Sequence, residues 1–182
     1  LLIYGQRHMG KTSLIRCADA EFSNTVRMAY VNLRQLSGEA TPAQLFQTIC
    51  DAVGELRIHT PPTQEQIVAA PYREFRQFIH ECASRLGAVG LGIVLDELEY
   101  LADDIERSDL LKESIQQLWT LSQLDPNLGV ILITTRNPTE LMDDNEDSLL
   151  TSSVQPIEVG YLSREQVAPL LRNPTPKFLP YC

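Results

Sequence analysis

The chain of 182 residues has no apolar stretch approaching membrane-spanning length and no signal-peptide pattern. A cytoplasmic protein without a membrane partner is therefore the expectation. Cysteine is sparse: Cys17, Cys50, Cys82 and Cys182 lie far apart with no C-x-x-C pair, which excludes the spacing of a zinc ribbon or redox motif. The first three fall in predicted helices on or near apolar stripes, so buried free thiols are expected. His8, His59 and His80 show no ligand spacing, and no metal site beyond Mg²⁺ is predicted. Positive charge is short, with 15 Lys and Arg against 24 Asp and Glu. The net charge of −9 argues against a broad nucleic-acid or membrane-binding face within these residues, while leaving a local basic groove open. Internal repeats and low-complexity tracts are also missing.

What is present is an ordinary globular composition, 43% hydrophobic and 21% charged, long enough for one α/β domain with the start of a second unit. The chain is organised around its first residues. Leu1 to Tyr4 is a short apolar run of strand type, and Ser13-Leu14-Ile15 opens a helix. Between them, Gly5-Gln6-Arg7-His8-Met9-Gly10-Lys11-Thr12 fits G-x-x-x-x-G-K-[ST], the P-loop, in its required context. Gly5 and Gly10 permit backbone angles and close approach that a Cβ would forbid. The loop N–H groups, with the helix N-terminus behind them and Ser13 next in line, converge on phosphate oxygens. Lys11 supplies a point charge for the β- and γ-phosphates, and the Thr12 hydroxyl can ligate Mg²⁺. A chance match to this octet is expected in roughly one chain in a hundred, given average glycine usage.

The pattern predicts a helix from Lys11 to Phe22, with Leu14, Ile15, Ala18 and Phe22 facing a sheet. A strand over Arg27 to Leu33 follows. Thr41-Pro42-Ala43-Gln44 reads as a capping box with proline at the first helical position, leading a helix with Leu45, Ile49, Ala52, Val53 and Leu56 on its buried stripe. Residues 57 to 70, which include Pro61-Pro62, read as a surface loop. Pro71 begins a helix that buries Phe75, Phe78, Ile79, Cys82, Ala83 and Leu86, and Gly87 to Gly90 ends it. Leu91 to Leu95 is uniformly apolar, as a strand buried on both faces should be. A helix capped by Ser108 runs from Asp109 to Leu124, packed through Leu111, Ile115, Leu118 and Trp119. Val130 to Thr135 is another buried strand. Met142 to Asp147 reads as an acidic mobile loop and Val154 to Val159 as a fifth strand. Ser163-Arg164-Glu165-Gln166 is a second capping box, starting a helix that Asn173-Pro174 closes. Such alternation means a mainly parallel sheet with helices on both faces, and ligands in such sheets bind at the carboxyl ends of the strands.

Three polar sites converge on that edge: the P-loop, Asp96-Glu97 and Arg136-Asn137. Asp96 caps an apolar strand as a Walker B aspartate does, suited to hold Mg²⁺ alongside Thr12. Glu97 stands where it could polarise a water attacking the γ-phosphate; the bland alternative is a solvated acidic loop start with Glu99, Asp103 and Asp104. Glu99 is left as surface. Either Arg136, pairing with phosphoryl charge, or Asn137, orienting water, could sense the γ-phosphate. Arg7 and His8 read as outward-pointing loop side chains, and no arginine finger is assigned.

The runs LLIYGQRHMGKTSLI, GIVLDELEYL, VILITTRN and YLSREQVAPLL occur in the order found in the additional-strand, catalytic-glutamate P-loop ATPases. The chain resembles their AAA+ and STAND group over nearly its whole length. Thr134-Thr135-Arg136 is similar to the STAND sensor-arginine motif, and Ser163 to Leu171 to the first lid helix. The resemblance implies a three-layer α/β fold with a five-stranded sheet of order 5-1-4-3-2. It places a nucleotide-binding core at residues 1–160 and the start of a helical lid at 161–182. It also implies ATP or ADP with Mg²⁺ as ligand, Glu97 as hydrolytic base, and a nucleotide switch controlling self-association or a partner protein. A nucleotide-loaded scaffold with little turnover is the alternative from another class. A replication-initiator ATPase shares this core, but the net charge of −9 gives it no support. A GTPase would need an N-K-x-D motif after the fourth strand, and none appears.

Overall fold

The computed structural model of the chain describes residues 1–36, 38, 40–138 and 154–167. Five strands form the sheet: β1 (Leu2–Tyr4), β2 (Val26–Asn32), β3 (Gly90–Asp96), β4 (Leu128–Thr134) and β5 (Pro156–Glu158). Their order is β2-β3-β4-β1-β5, and every pairing is parallel. This is the expected 5-1-4-3-2 arrangement of a P-loop ATPase fold, with strand ends within a residue or two of those predicted. Residues 139–153 and 168–182, which hold the predicted acidic loop and most of the predicted lid helix, lie outside the described residues.

The period of two along each strand divides the core between the two faces. Leu91, Ile93 and Leu95 of β3, with Val130 and Leu132 of β4 and Ala29 and Val31 of β2, enter one large cluster. Val94, Ile3 and Ile133 point to the other face and meet Ile15. That second face carries α1 (Lys11–Phe22). The first carries α2 (Pro42–Gly54), α4 (Pro71–Leu86) and α5 (Asp109–Leu124), whose apolar stripes are the ones read from the sequence.

On α1 the stripe is narrower than expected. Ile15 is buried, but Leu14 and Phe22 are 47% and 52% exposed. Leu14, Ile15, Ala18 and Phe22 lie within about 100° of arc, so helical phase alone does not expose them. Leu14 stands at the edge of that stripe, and Phe22 is the last residue of the helix. Cys17 on the same helix is exposed, against expectation, whereas Cys50 and Cys82 are buried. Burial pushes the Cys82 thiol pKa up to about 11 and raises that of Cys50 further.

Residues 57–70 are not all loop. A short helix, α3 (Gln64–Ala69), buries Ile67 completely. It starts with a capping box: Thr63 N–H donates to Gln66 Oε1 at 2.8 Å, and Gln66 N–H to Thr63 Oγ1 at 3.4 Å. Thr41 with Gln44 and Ser163 with Gln166 repeat the device. Three helices thus begin with the same pair of reciprocal hydrogen bonds, each satisfying two orphan N–H groups.

Candidate functional site

The carboxyl edge of the sheet gathers the end of β1, the end of β3 and the end of β4 around a cavity of about 480 Å³. The P-loop bends sharply to enter it. Gly5 has φ of +148°, and a Cβ there would stand 2.2 Å from the Val159 carbonyl oxygen, so only glycine fits against the chain leaving β5. Gly10, at φ +88°, occupies the N-cap position of α1 without any side-chain cap. The first-turn N–H groups therefore face the cavity without a capping oxygen, as an anion cradle requires.

Lys11 is only 9% exposed. Its ammonium donates to the carbonyls of Gly5 and Gln6 at 2.7 and 2.9 Å, inside its own loop. Burial lowers its pKa; the neighbouring Glu99 opposes this most, followed by Asp96. Thr12 Oγ1 donates to Asp96 Oδ2 at 2.6 Å across 84 positions of sequence. The predicted metal-ligand pair is thus in contact. Among the described residues no group of three or more His, Cys, Asp or Glu could hold a metal.

Glu97 departs from ordinary backbone geometry, with φ +63° and ψ +43°. Left-handed angles cost a non-glycine residue roughly 1 kcal/mol or more. Its N–H donates to Asp96 Oδ1 at 2.9 Å. Its Oε2 atom is buried and accepts no hydrogen bond among the described residues. The turn thus brings Glu97 into the cavity wall with one oxygen unmatched.

Arg136 and Asn137 do not line this cavity. The Arg136 guanidinium faces Glu106 at 3.9 Å, and the Arg136 backbone N–H donates to Thr134 Oγ1 at 3.1 Å. Arg7 and His8 are exposed, as read from the sequence, and line the mouth together with Met9 and Ser13. Five residues not predicted as site residues also line it: Arg34, Glu99, Ile133, Thr134 and Thr135. Glu99 was expected at the surface. It lies instead on a 3₁₀ turn (Leu98–Leu101), and its Oε2 accepts from Thr135 N–H at 3.3 Å. Asp104 is likewise not solvated: it is 8% exposed, and its Oδ2 accepts from the N–H groups of Gly38 and Ala40, both at 3.3 Å.

Comparison with known proteins bears on both fold and site. Residues 1–142 match the family described as AAA domain. No curated protein matches the sequence. Among solved structures, the Aeropyrum pernix ORC2 protein in its ADPNP–ADP complexes is similar with a TM-score of 0.64 at 16% identity, over 98% of this chain and 45% of that one. The A. pernix ORC1 protein in complex with DNA gives 0.53 at 21% identity, over 94% of this chain and 42% of that one. The chain thus spans less than half the length of these proteins, and likeness at such identity speaks for the fold alone. The family match covers most of the chain and includes both the P-loop and the Asp96-Glu97 strand end. The chain belongs to the AAA domain family, within the AAA+ group of P-loop ATPases.

Proposed function

We propose that this domain binds Mg-ATP at the P-loop and hydrolyses it with Glu97 as the base that polarises the attacking water. The observation that carries the reading is the Glu97 turn. A left-handed residue with an unmatched buried carboxylate oxygen stands directly beside the 2.6 Å Thr12–Asp96 pair. Strain of this kind persists where the surrounding structure enforces it, and functional sites are where it clusters. Gly10 and the first turn of α1 cradle the phosphates, Lys11 neutralises their charge, and Thr12 with Asp96 would hold Mg²⁺. The ion supplies charge neutralisation on the β- and γ-oxygens. Arg136 and Asn137, one and two residues beyond Thr135 on the same edge, remain the proposed γ-phosphate sensors, reached by a shift of the segment after β4.

The larger role we propose is a regulatory switch in a multidomain protein, in the manner of STAND ATPases, with slow turnover in the isolated domain. The nucleotide and DNA held by the similar A. pernix structures belong to those proteins. Of the two, nucleotide binding is the one this chain's own residues support.

Calorimetric titration with Mg-ATP, Mg-ADP and Mg-GTP tests the reading. Lys11→Ala should weaken Mg-ATP binding by about a hundredfold or more, through loss of the phosphate-neutralising charge. Glu97→Gln should retain Mg-ATP while phosphate release stops. Parent-like affinity in the first variant would refute the P-loop assignment, and parent-like turnover in the second would remove Glu97 as the base.

A further inference from the structure

The Tyr100 ring meets the guanidinium groups of two cavity-lining residues, Arg7 and Arg34. The Arg34 guanidinium carbon lies 5.2 Å from the centroid of the ring, and that of Arg7 lies 5.7 Å away. Arg7 also donates from Nη2 to the Tyr100 hydroxyl. The three residues come from three places: the P-loop, the 3₁₀ turn after β2 (Leu33–Leu36) and the 3₁₀ turn after β3. Arg34 is set by its backbone as well. Its N–H donates to Asn32 Oδ1 at 3.0 Å, and Asn32 ends β2 in register with Asp96. The side chain is therefore delivered from the neighbouring strand to the wall that also carries Lys11 and Glu97.

We propose that Arg34, resting on the Tyr100 ring, is a same-chain cationic contact for the terminal phosphate of the bound nucleotide. The inference rests on the nucleotide-binding reading above. Its physical basis is charge. The cavity wall carries three carboxylates, Asp96, Glu97 and Glu99, facing Arg7, Lys11 and Arg34. A polyphosphate entering beside three acids needs more positive charge than Lys11 and a divalent ion bring. A guanidinium held over an aromatic face keeps its planar fork oriented and is weakly hydrated, which suits it to bidentate pairing with phosphate. Arg34 would be felt most by the outermost phosphate, because it approaches from the mouth while Lys11 is seated within the loop. A diphosphate would then gain little from it. Tyr100 is a positioning residue, and Arg7, bonded to its hydroxyl, ties the P-loop to that platform.

The test compares affinities for a fluorescent ATP analogue and the matching ADP analogue, each with Mg²⁺, in the whole chain. Arg34→Ala should weaken the triphosphate by about tenfold and the diphosphate by no more than about twofold. Arg34→Lys should recover only part of the discrimination, because an ammonium lacks the planar fork. Tyr100→Leu should lose part of it with Arg34 intact, and Tyr100→Phe, which keeps the ring, should restore most of that loss. Thermal melts of each variant separate a folding defect from a lost contact; a variant that melts early is replaced by its conservative partner for the comparison. Equal losses for both nucleotides, or none for either, would overturn the assignment of Arg34 while leaving the nucleotide site standing. A parent chain that binds neither nucleotide overturns this inference together with the reading beneath it.

Discussion

In the helical layer Phe46 of α2 and Phe75 of α4 stack with centroids 4.5 Å apart, both almost completely buried. Thr41 and Thr63 close their helix starts with reciprocal hydrogen bonds. At the carboxyl edge of the sheet the same chain does the reverse. Glu97 and His8 take left-handed angles, the N-cap of α1 has no side-chain acceptor, and a carboxylate oxygen is buried unmatched. Among the described residues the helical layer has exceptions of its own, Arg57 at φ +56° and the unmatched Gln47 Oε1 and Trp119 Nε1, but they are scattered, whereas the edge gathers its conflicts around one cavity. Minimally frustrated sequences concentrate such conflicts where a ligand is to resolve them. The difference therefore separates what holds the domain together from what it uses.

Three variants probe this contrast. Phe75→Ala removes a stacked ring from the centre of the layer and should cost about 3–5 kcal/mol, read by chemical denaturation. Nucleotide affinity per folded molecule should stay near that of the parent; a selective loss of affinity would mean that the layer and the edge are not separable. Glu97→Gly relieves the left-handed strain and deletes the unmatched carboxylate. It should stabilise the chain by about 1–2 kcal/mol while abolishing phosphate release. A destabilised variant would show that Glu97 serves the fold. Thr63→Ala opens the capping box of α3 and should cost about 1 kcal/mol. Its turnover should match the parent, and a change in turnover would place α3 within the working part of the molecule.

Much of the fold was legible because it is written in short-range signals. Solid apolar runs gave β3 and β4, paired polar residues gave the starts of α2 and of the helix at residues 164–167, and the glycine-bounded octet gave the P-loop. The misses have separate causes. Pro61-Pro62 obscured α3, whose six residues are too few for a periodicity argument, although Thr63 and Gln66 carried the same capping signal as Thr41 and Gln44. Leu14 and Phe22 fall within the same arc as Ile15 but at the stripe's edge and at the helix's last residue, and both stay half exposed. Part of the site was legible too, since Thr12 and Asp96 do meet. Arg34, Glu99 and Tyr100 were not, because they become neighbours only when two 3₁₀ turns and the P-loop are brought to one edge. No spacing in the sequence encodes that meeting. Asp104 makes the same point, holding the N–H groups of Gly38 and Ala40 from more than sixty positions away.

The Lys11 ammonium, tied to the carbonyls of Gly5 and Gln6, has a consequence for affinity. The loop is a competing ligand for its own lysine. One of the ammonium's three protons is left over for a phosphate, and the other two are won only by exchange, releasing carbonyl oxygens that then need other donors. The observed binding strength is the difference between two satisfied arrangements of one cation. It depends on how firmly residues 5 and 6 hold Lys11 as much as on how well the cavity holds phosphate. A change at Gln6 that loosens that internal grip would raise nucleotide affinity without adding a single contact to the nucleotide.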